Sequence, residues 1–173
     1  MTVDRRVAAE PAVAPVTAGD LAWLREMCTA RWGGTVSVSR GVAHDTTALP
    51  GFVAKLHGER VGAVTYRPDG DACELVTLDS ARQRAGVGTA LVDAVVRAAR
   101  AGRLWLVTTN DNVRALRFYQ RYGFDLVAVH RDAVARSRAL KPAIPRLGMD
   151  GIPIRHGLEL ELRLSSGGPD GGR

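Results

Sequence analysis

The sequence predicts an α+β fold, and three observations carry the prediction. Between residues 52 and 78, three apolar, β-branched runs are separated only by short turn-forming segments, the pattern of an antiparallel meander. At Gly86 the hydrophobic period changes from that of strands to that of helices. Beyond it, helical and strand-like segments alternate up to a strictly alternating final run at 158–164.

The chain begins with a charged, then Ala/Pro-rich stretch at 1–11 that reads as a flexible arm. Residues 12–16 form a short first strand whose Pro15 suits an edge. Thr17 and Asp20 have the spacing of a helix-capping pair. Leu21, Leu24 and Cys28 then line one face of a helix that Gly33-Gly34 ends. Residues 36–39 alternate like a strand, and 41–51 read as a polar, Pro-ended loop carrying His44 and Asp45. The runs 52–56 and 60–66 flank His57-Gly58-Glu59 as a hairpin. Pro68-Asp69-Gly70-Asp71 is a turn by composition, and 73–78 form the next strand.

From Gly86 onward Val87, Leu91 and Val95 make one apolar row of a helix and Val92, Val96 and Ala99 the next. Asp93, Arg97 and Arg100 make its polar stripe, and Gly102 is the stop. Residues 104–108 barely alternate, as in a strand buried on both faces. Thr109-Asn110-Asp111-Asn112 suits the cap of a helix that sets Ala115, Phe118, Tyr119 and Tyr122 against Arg114, Arg117 and Arg121. Gly123 closes it, 124–129 make a strand, and 132–140 a short basic helix. A Pro-containing loop leads to the last strand, and the Gly-rich 165–173 read as a disordered tail. One domain over 12–164 follows.

Bulk properties bound the function. A chain of 173 residues buries roughly 70% of its unfolded surface and needs no covalent staples. Cys28 and Cys73 lie in no CxxC pair, which points to a reducing compartment. No apolar run nears the ~20 residues of a membrane span, and no signal-peptide pattern follows Met1. A cytoplasmic protein without a membrane partner is expected. The net charge of +6 raises nucleic acid as a partner. Against it, aromatic residues are only 5% and no run of Lys/Arg exceeds two. A phosphate-bearing small ligand accounts for the excess equally well.

The stretch Gln83-Arg84-Ala85-Gly86-Val87-Gly88 sits between a strand and a helix. Helix N–H groups without intrahelical partners, the dipole behind them and the absence of Cβ atoms make such a turn an anion site. The pattern Gln83-x-x-Gly86-x-Gly88 resembles the first motif of the GNAT superfamily of acyl-CoA-dependent N-acyltransferases. Asn112-x-x-Ala115-x-x-Phe118-Tyr119-x-x-x-Gly123-Phe124 resembles its second segment, at a matching distance. A Rossmann dinucleotide site fits less well, since its preceding strand belongs to a meander and one of three glycines is absent.

The resemblance implies a mixed, mostly antiparallel sheet, splayed at its middle, with helices on both faces and acetyl-CoA in the gap. It places the CoA pyrophosphate on the N–H groups of Arg84, Ala85, Gly86, Val87, Gly88 and Thr89, with Gln83 beside them. It pairs the pantetheine arm with the backbone of Val76, Thr77 and Leu78. Asn112, Ala115 and Phe118 complete the cofactor side, and Tyr119 takes the position that protonates the departing thiolate. Two departures stand out: Ser80 replaces a Pro common in the family, and residues 131–157 exceed the usual hairpin before the last strand. That insertion falls where the acceptor enters.

A lysine-like amine, with a pKa of ~10.4, is neutral in about one part in 10³ at pH 7, and general-base help is worth ~10²–10⁴ in rate. Glu74 is the candidate base. It lies on the face of Leu78 if no bulge intervenes; its alternative is a solvated carboxylate at a strand start. Tyr119, with a pKa of ~10, can donate to a thiolate of pKa ~8.5; its alternative is core. No metal is expected, since His44, His57, His130 and His156 lack ligand spacing. His44-Asp45 and His130-Arg131 are placed to rim the acceptor site. The insertion carries Arg131, Arg136, Arg138, Lys141, Arg146 and Arg155 against Asp132 and Asp150. It is either a solvated face or a preference for an acceptor bearing carboxylate or phosphate. The expected function is acetyl transfer from acetyl-CoA to a small primary amine by direct attack, in a monomer or homodimer. The alternatives are a protein N-terminal or Lys acetyltransferase and a non-catalytic acyl-CoA-binding module.

Overall fold

The expected meander is the centre of the sheet. A computed structural model, which describes residues 10–80 and 86–164, builds it from β4 (Gly51–Leu56), β5 (Glu59–Asp69) and β6 (Ala72–Ser80). Positive φ at His57 (51°) and Gly58 (82°) closes the β4–β5 hairpin in two residues. β5 runs through Pro68, so the next turn is tighter than its composition suggests and falls at Gly70. The edge strand β1 (Ala12–Pro15) pairs with β4. Most of the arm expected at 1–11 and all of the tail at 165–173 lie outside the described residues.

After the meander come α2 (Val87–Ala98), β7 (Arg103–Thr109), α3 (Val113–Tyr122), β8 (Asp125–His130), α4 (Ala133–Leu140) and β9 (Gly157–Arg163). The seven-stranded sheet has the order β1-β4-β5-β6-β7-β9-β8. Every pair is antiparallel except β6–β7. α2 ends at Ala98, before Gly102. Gly102 serves a different purpose: its N–H donates to Asp71 at 2.9 Å, and a Cβ there would sit 2.8 Å from that carboxylate.

Both faces carry helices. On one, Val87, Leu91, Val92 and Val95 of α2 join Val64, Cys73, Leu75, Leu104, Leu106 and Leu160 of the sheet and Tyr119 of α3 in a buried cluster. Gly62 permits the approach, since a Cβ there would lie 2.6 Å from the Asp79 carbonyl and 2.9 Å from Val87. On the other face, α1 (Leu21–Trp32) buries Leu24 and Cys28 against Val53 and Ala63. Its start is fixed by Asp20, whose Oδ2 accepts from the N–H and hydroxyl of Thr17 at 2.9 and 2.8 Å. Among the described residues no helix is long and apolar enough to cross a membrane.

The loop expected over 41–51 is a correction. β2 (Val36–Ser39) and β3 (Val42–Asp45) form a hairpin through a two-residue turn at Arg40 (φ 48°) and Gly41 (φ 78°). An Arg where such turns favour Asn or Gly hid it from the sequence. A short 3₁₀ turn follows, capped by Asp45, which accepts from the Thr47 N–H at 3.0 Å.

Candidate active site

The sheet opens between its two parallel strands. β6 and β7 pair only at Ala72–Arg103, Cys73–Leu104 and Glu74–Trp105, so β6 beyond Glu74 has no partner on its β7 side. Its outer side stays paired to β5, with a bulge. Tyr66 pairs with Leu75 but Thr65 with Thr77, leaving Val76 as the extra residue. The bulge inverts side-chain parity. Leu78 packs into the α2-side cluster, while Glu74 points to the α1 face, so the two do not share a face. Thr77 joins the α1 face instead, its hydroxyl 2.7 Å from that of Thr65.

The α2 face carries most of the expected cofactor residues. Gly86 caps α2 in a left-handed conformation (φ 71°), and among the described residues nothing lies within 4 Å of where its Cβ would be. The N–H groups of Val87, Gly88 and Thr89 form the free first turn of the helix. Val87 offers only its backbone there, since its side chain is buried in the core. Gly88 is glycine for a second reason: a Cβ would lie 3.2 Å from the ring of Phe118. The two motifs therefore touch. Gln83, Arg84 and Ala85 lie outside the described residues. Asn112 caps α3, its Oδ1 accepting from the Ala115 N–H at 3.2 Å, and Ala115 packs against the cluster.

Tyr119 is 6% exposed, edge-on to Phe118 at 5.2 Å and to Phe124 at 5.3 Å. Its hydroxyl has no hydrogen-bond partner among the described residues, and burial raises its pKa above the ordinary tyrosine value. Nearby, the Tyr122 hydroxyl donates to Asp93 at 2.5 Å, tying α3 to the expected polar stripe of α2.

Glu74 is not the solvated carboxylate that was its alternative, being 1% exposed. Its Oε2 accepts from Arg67 at 3.1 and 3.2 Å and lies 3.8 Å from His44 Nε2. Its Oε1 is buried without a partner among the described residues. An orphaned buried carboxylate oxygen is a costly arrangement, and a waiting acceptor of a proton or of a donor hydrogen is a physical use for it.

Four side chains on this face escaped the sequence reading as a group. Glu159, buried in β9, accepts from Arg40 Nε at 3.1 Å and Nη2 at 2.5 Å, and lies 2.7 Å from His130 Nε2. The Arg40 guanidinium stacks 4.3 Å from the centre of the Trp105 ring. Burial pushes the Glu159 pKa up, but the hydrogen bonds from Arg40 and His130 outweigh it and hold it below the ordinary value. The alternation of 158–164 flagged Glu159 only as a polar strand residue, and no local signal links positions 40 and 159.

The insertion at 131–157 roofs this face. Asn110 holds its far end, accepting from the N–H groups of Arg155 and His156 at 2.9 Å each and donating to Pro153 at 3.0 Å. Lys141 anchors it to the hairpin by donating to the Val36 carbonyl at 2.7 Å. Beneath lies a cavity of about 380 Å³ between the β2–β3 hairpin, the second half of β7, His130 and α4. Among the described residues no group of His, Cys, Asp and Glu is placed to hold a metal ion.

A mixed sheet opened between two parallel strands, beside a glycine-capped helix N-terminus, is the architecture of the GNAT acetyltransferases. The chain matches the model of the Acetyltransferase (GNAT) family over residues 21–124 and belongs to that family. It is 40% identical over 137 residues to the uncharacterized protein YdhI of Bacillus subtilis (strain 168), covering 76% of this chain and 85% of that one. A GNAT family acetyltransferase from Elizabethkingia anophelis, solved with acetyl-CoA bound, shares the fold with a TM-score of 0.64 and 21% identity, over 90% of this chain and 99% of that one. The ribosomal-protein-S18-alanine N-acetyltransferase from Escherichia coli does so with a TM-score of 0.63 and 15% identity, over 92% and 97% of the two chains.

Proposed function

We propose that the protein transfers an acetyl group from acetyl-CoA to a small primary amine by direct attack. One observation carries the proposal: the opening after Glu74 and Trp105 is bordered by the free N–H groups of α2 and by Tyr119 on one face, and by Glu74 on the other. Residues 76–78 of β6 offer unpaired backbone to an extended pantetheine arm, as an added strand would need. Gly86 leaves its backbone open to a pyrophosphate. The Elizabethkingia anophelis relative was solved with acetyl-CoA, which favours acetyl as the group transferred.

Each side chain has a defined task. Glu74 Oε1 accepts a proton from the acceptor ammonium, directly or through a water. The freed amine attacks the thioester carbonyl, the C–S bond breaks as the Tyr119 hydroxyl donates its proton to the sulfur, and the second proton of the attacking nitrogen passes through water to the Tyr119 phenolate. The raised pKa of Tyr119 keeps it protonated at neutral pH. Neither cysteine competes as a nucleophile: burial pushes Cys73 up to about 11 and raises Cys28 as well. This favours direct transfer over an acyl-enzyme.

The roof over the α1 face favours a small acceptor over a peptide, since the cavity beneath it has the size of a small-molecule site. The test is a panel of primary amines and N-terminal peptides with acetyl-CoA, read as released CoA thiol. Turnover of small amines supports the reading. Turnover confined to peptides moves the protein to the N-terminal or Lys class. Acetyl-CoA binding without thiol release from any acceptor leaves a non-catalytic module.

A further inference from the structure

The roofed cavity carries a charge pattern that acetyl transfer does not use. Three basic side chains line it, Arg40, His130 and Arg136, and no carboxylate does. Glu159 stands behind the wall, 3% exposed, and its single carboxylate is shared by Arg40 and His130, leaving Arg136 unopposed. Arg136 is exposed and has no ion-pair or hydrogen-bond partner among the described residues.

Arg40 is held as a recognition group is held. It occupies a left-handed backbone conformation at the hairpin tip (φ 48°), which favours Gly or Asn. Its ring-like guanidinium plane is fixed between Trp105 and Glu159. Glu159 takes Nε and Nη2, so Nη1 keeps its donors free among the described residues. A preset guanidinium edge loses little freedom on binding a planar anion. The cavity also borders Val107, Thr108 and Thr109 of β7, the strand that walls the opening in the sheet. An acceptor seated in the cavity has its other end free to reach that opening.

We propose that this cavity is the acceptor pocket and that it reads a carboxylate through Arg40 Nη1 and Arg136, so that the substrates are small amines bearing a carboxylate. The proposal rests on the N-acetyltransferase reading. It names the substrate class from a constellation that reading leaves unused.

Three matched probes test it: 4-aminobutyrate, butylamine and 3-aminopropylphosphonate, with glycine and 6-aminohexanoate varying the length. Charge-assisted hydrogen bonds of this kind are worth about 10- to 100-fold in binding. A carboxylate probe is therefore expected to exceed butylamine in kcat/KM by about that factor. Arg136→Ala is expected to shrink the ratio about tenfold, mainly through KM, and Arg136→Lys to restore part of it. Equal rates for butylamine and 4-aminobutyrate overturn the proposal, as does a phosphonate preference over carboxylate. Melting temperature with each probe gives a readout independent of turnover. Carboxylate probes stabilise the wild type and not Arg136→Ala if the pocket is as described, even when no amine is acetylated. No stabilisation by any carboxylate probe overturns the pocket alone, leaving acetyl-CoA turnover with amines lacking a carboxylate as the separate fate of the N-acetyltransferase reading.

Discussion

Replacing Tyr119 by Phe should separate stability from turnover. The hydroxyl has no partner among the described residues, so removing it orphans no donor or acceptor there. The ring keeps its edge contacts with Phe118 and Phe124. The Phe variant therefore melts within a few degrees of the wild type, at about 2–4 °C per kcal/mol for a chain of this size. Turnover behaves differently. Losing proton donation to the thiolate removes a factor of about 10²–10⁴, or roughly 3–5 kcal/mol of barrier lowering. The assay is thiol release at saturating acetyl-CoA and amine, with calorimetric melting of the same preparations. A Phe variant with kcat within about threefold of wild type would falsify the acid role. A fall in melting temperature together with kcat would refute the reasoning too, by making Tyr119 a packing residue.

Two further predictions probe the frame around the site. Asp20 is held at about 2 by the Thr17 N–H, the Thr17 hydroxyl and Arg60, in that order. Its folded pKa is below its unfolded value of about 3.9, so its contribution is complete above about pH 4 and is lost as the pH falls toward 2. Asp20→Ala should cost about 1–2 kcal/mol at neutral pH, with the gap from wild type in urea melts closing below pH 4. Gly62→Ala should cost about 1–3 kcal/mol, because its Cβ would push against the Asp79 carbonyl and against Val87 and Leu91 of α2. Asp79 and Val87 flank the proposed phosphate turn, so acetyl-CoA affinity should fall with stability; an alanine variant with wild-type affinity and stability would show that the turn tolerates the shift.

The order of elements was legible because local chemistry carries it. Thr17 and Asp20 cap, His57-Gly58 turns, and the period changes at Gly86, each within a few residues. The family was legible because Gly86 is held by its left-handed backbone and Gly88 by its contact with Phe118, which leave little freedom of residue type. What the sequence hid depends on distance. Arg40 at a turn position favouring Asn or Gly concealed the β2–β3 hairpin, and Glu159, which it binds, is 119 residues away. The bulge at Val76 also decides which face Glu74 shares, and a strand pattern of period two cannot show where an extra residue falls. The α1 face of the sheet is therefore the part that only three dimensions reveal.

Calorimetric titration of the protein with acetyl-CoA tests the central claim most directly. One molecule should bind per chain, and at 100 times the dissociation constant the folded state should gain about 2.7 kcal/mol, a rise in melting temperature of roughly 5–11 °C. No heat of binding and no change in melting temperature at millimolar acetyl-CoA would contradict it.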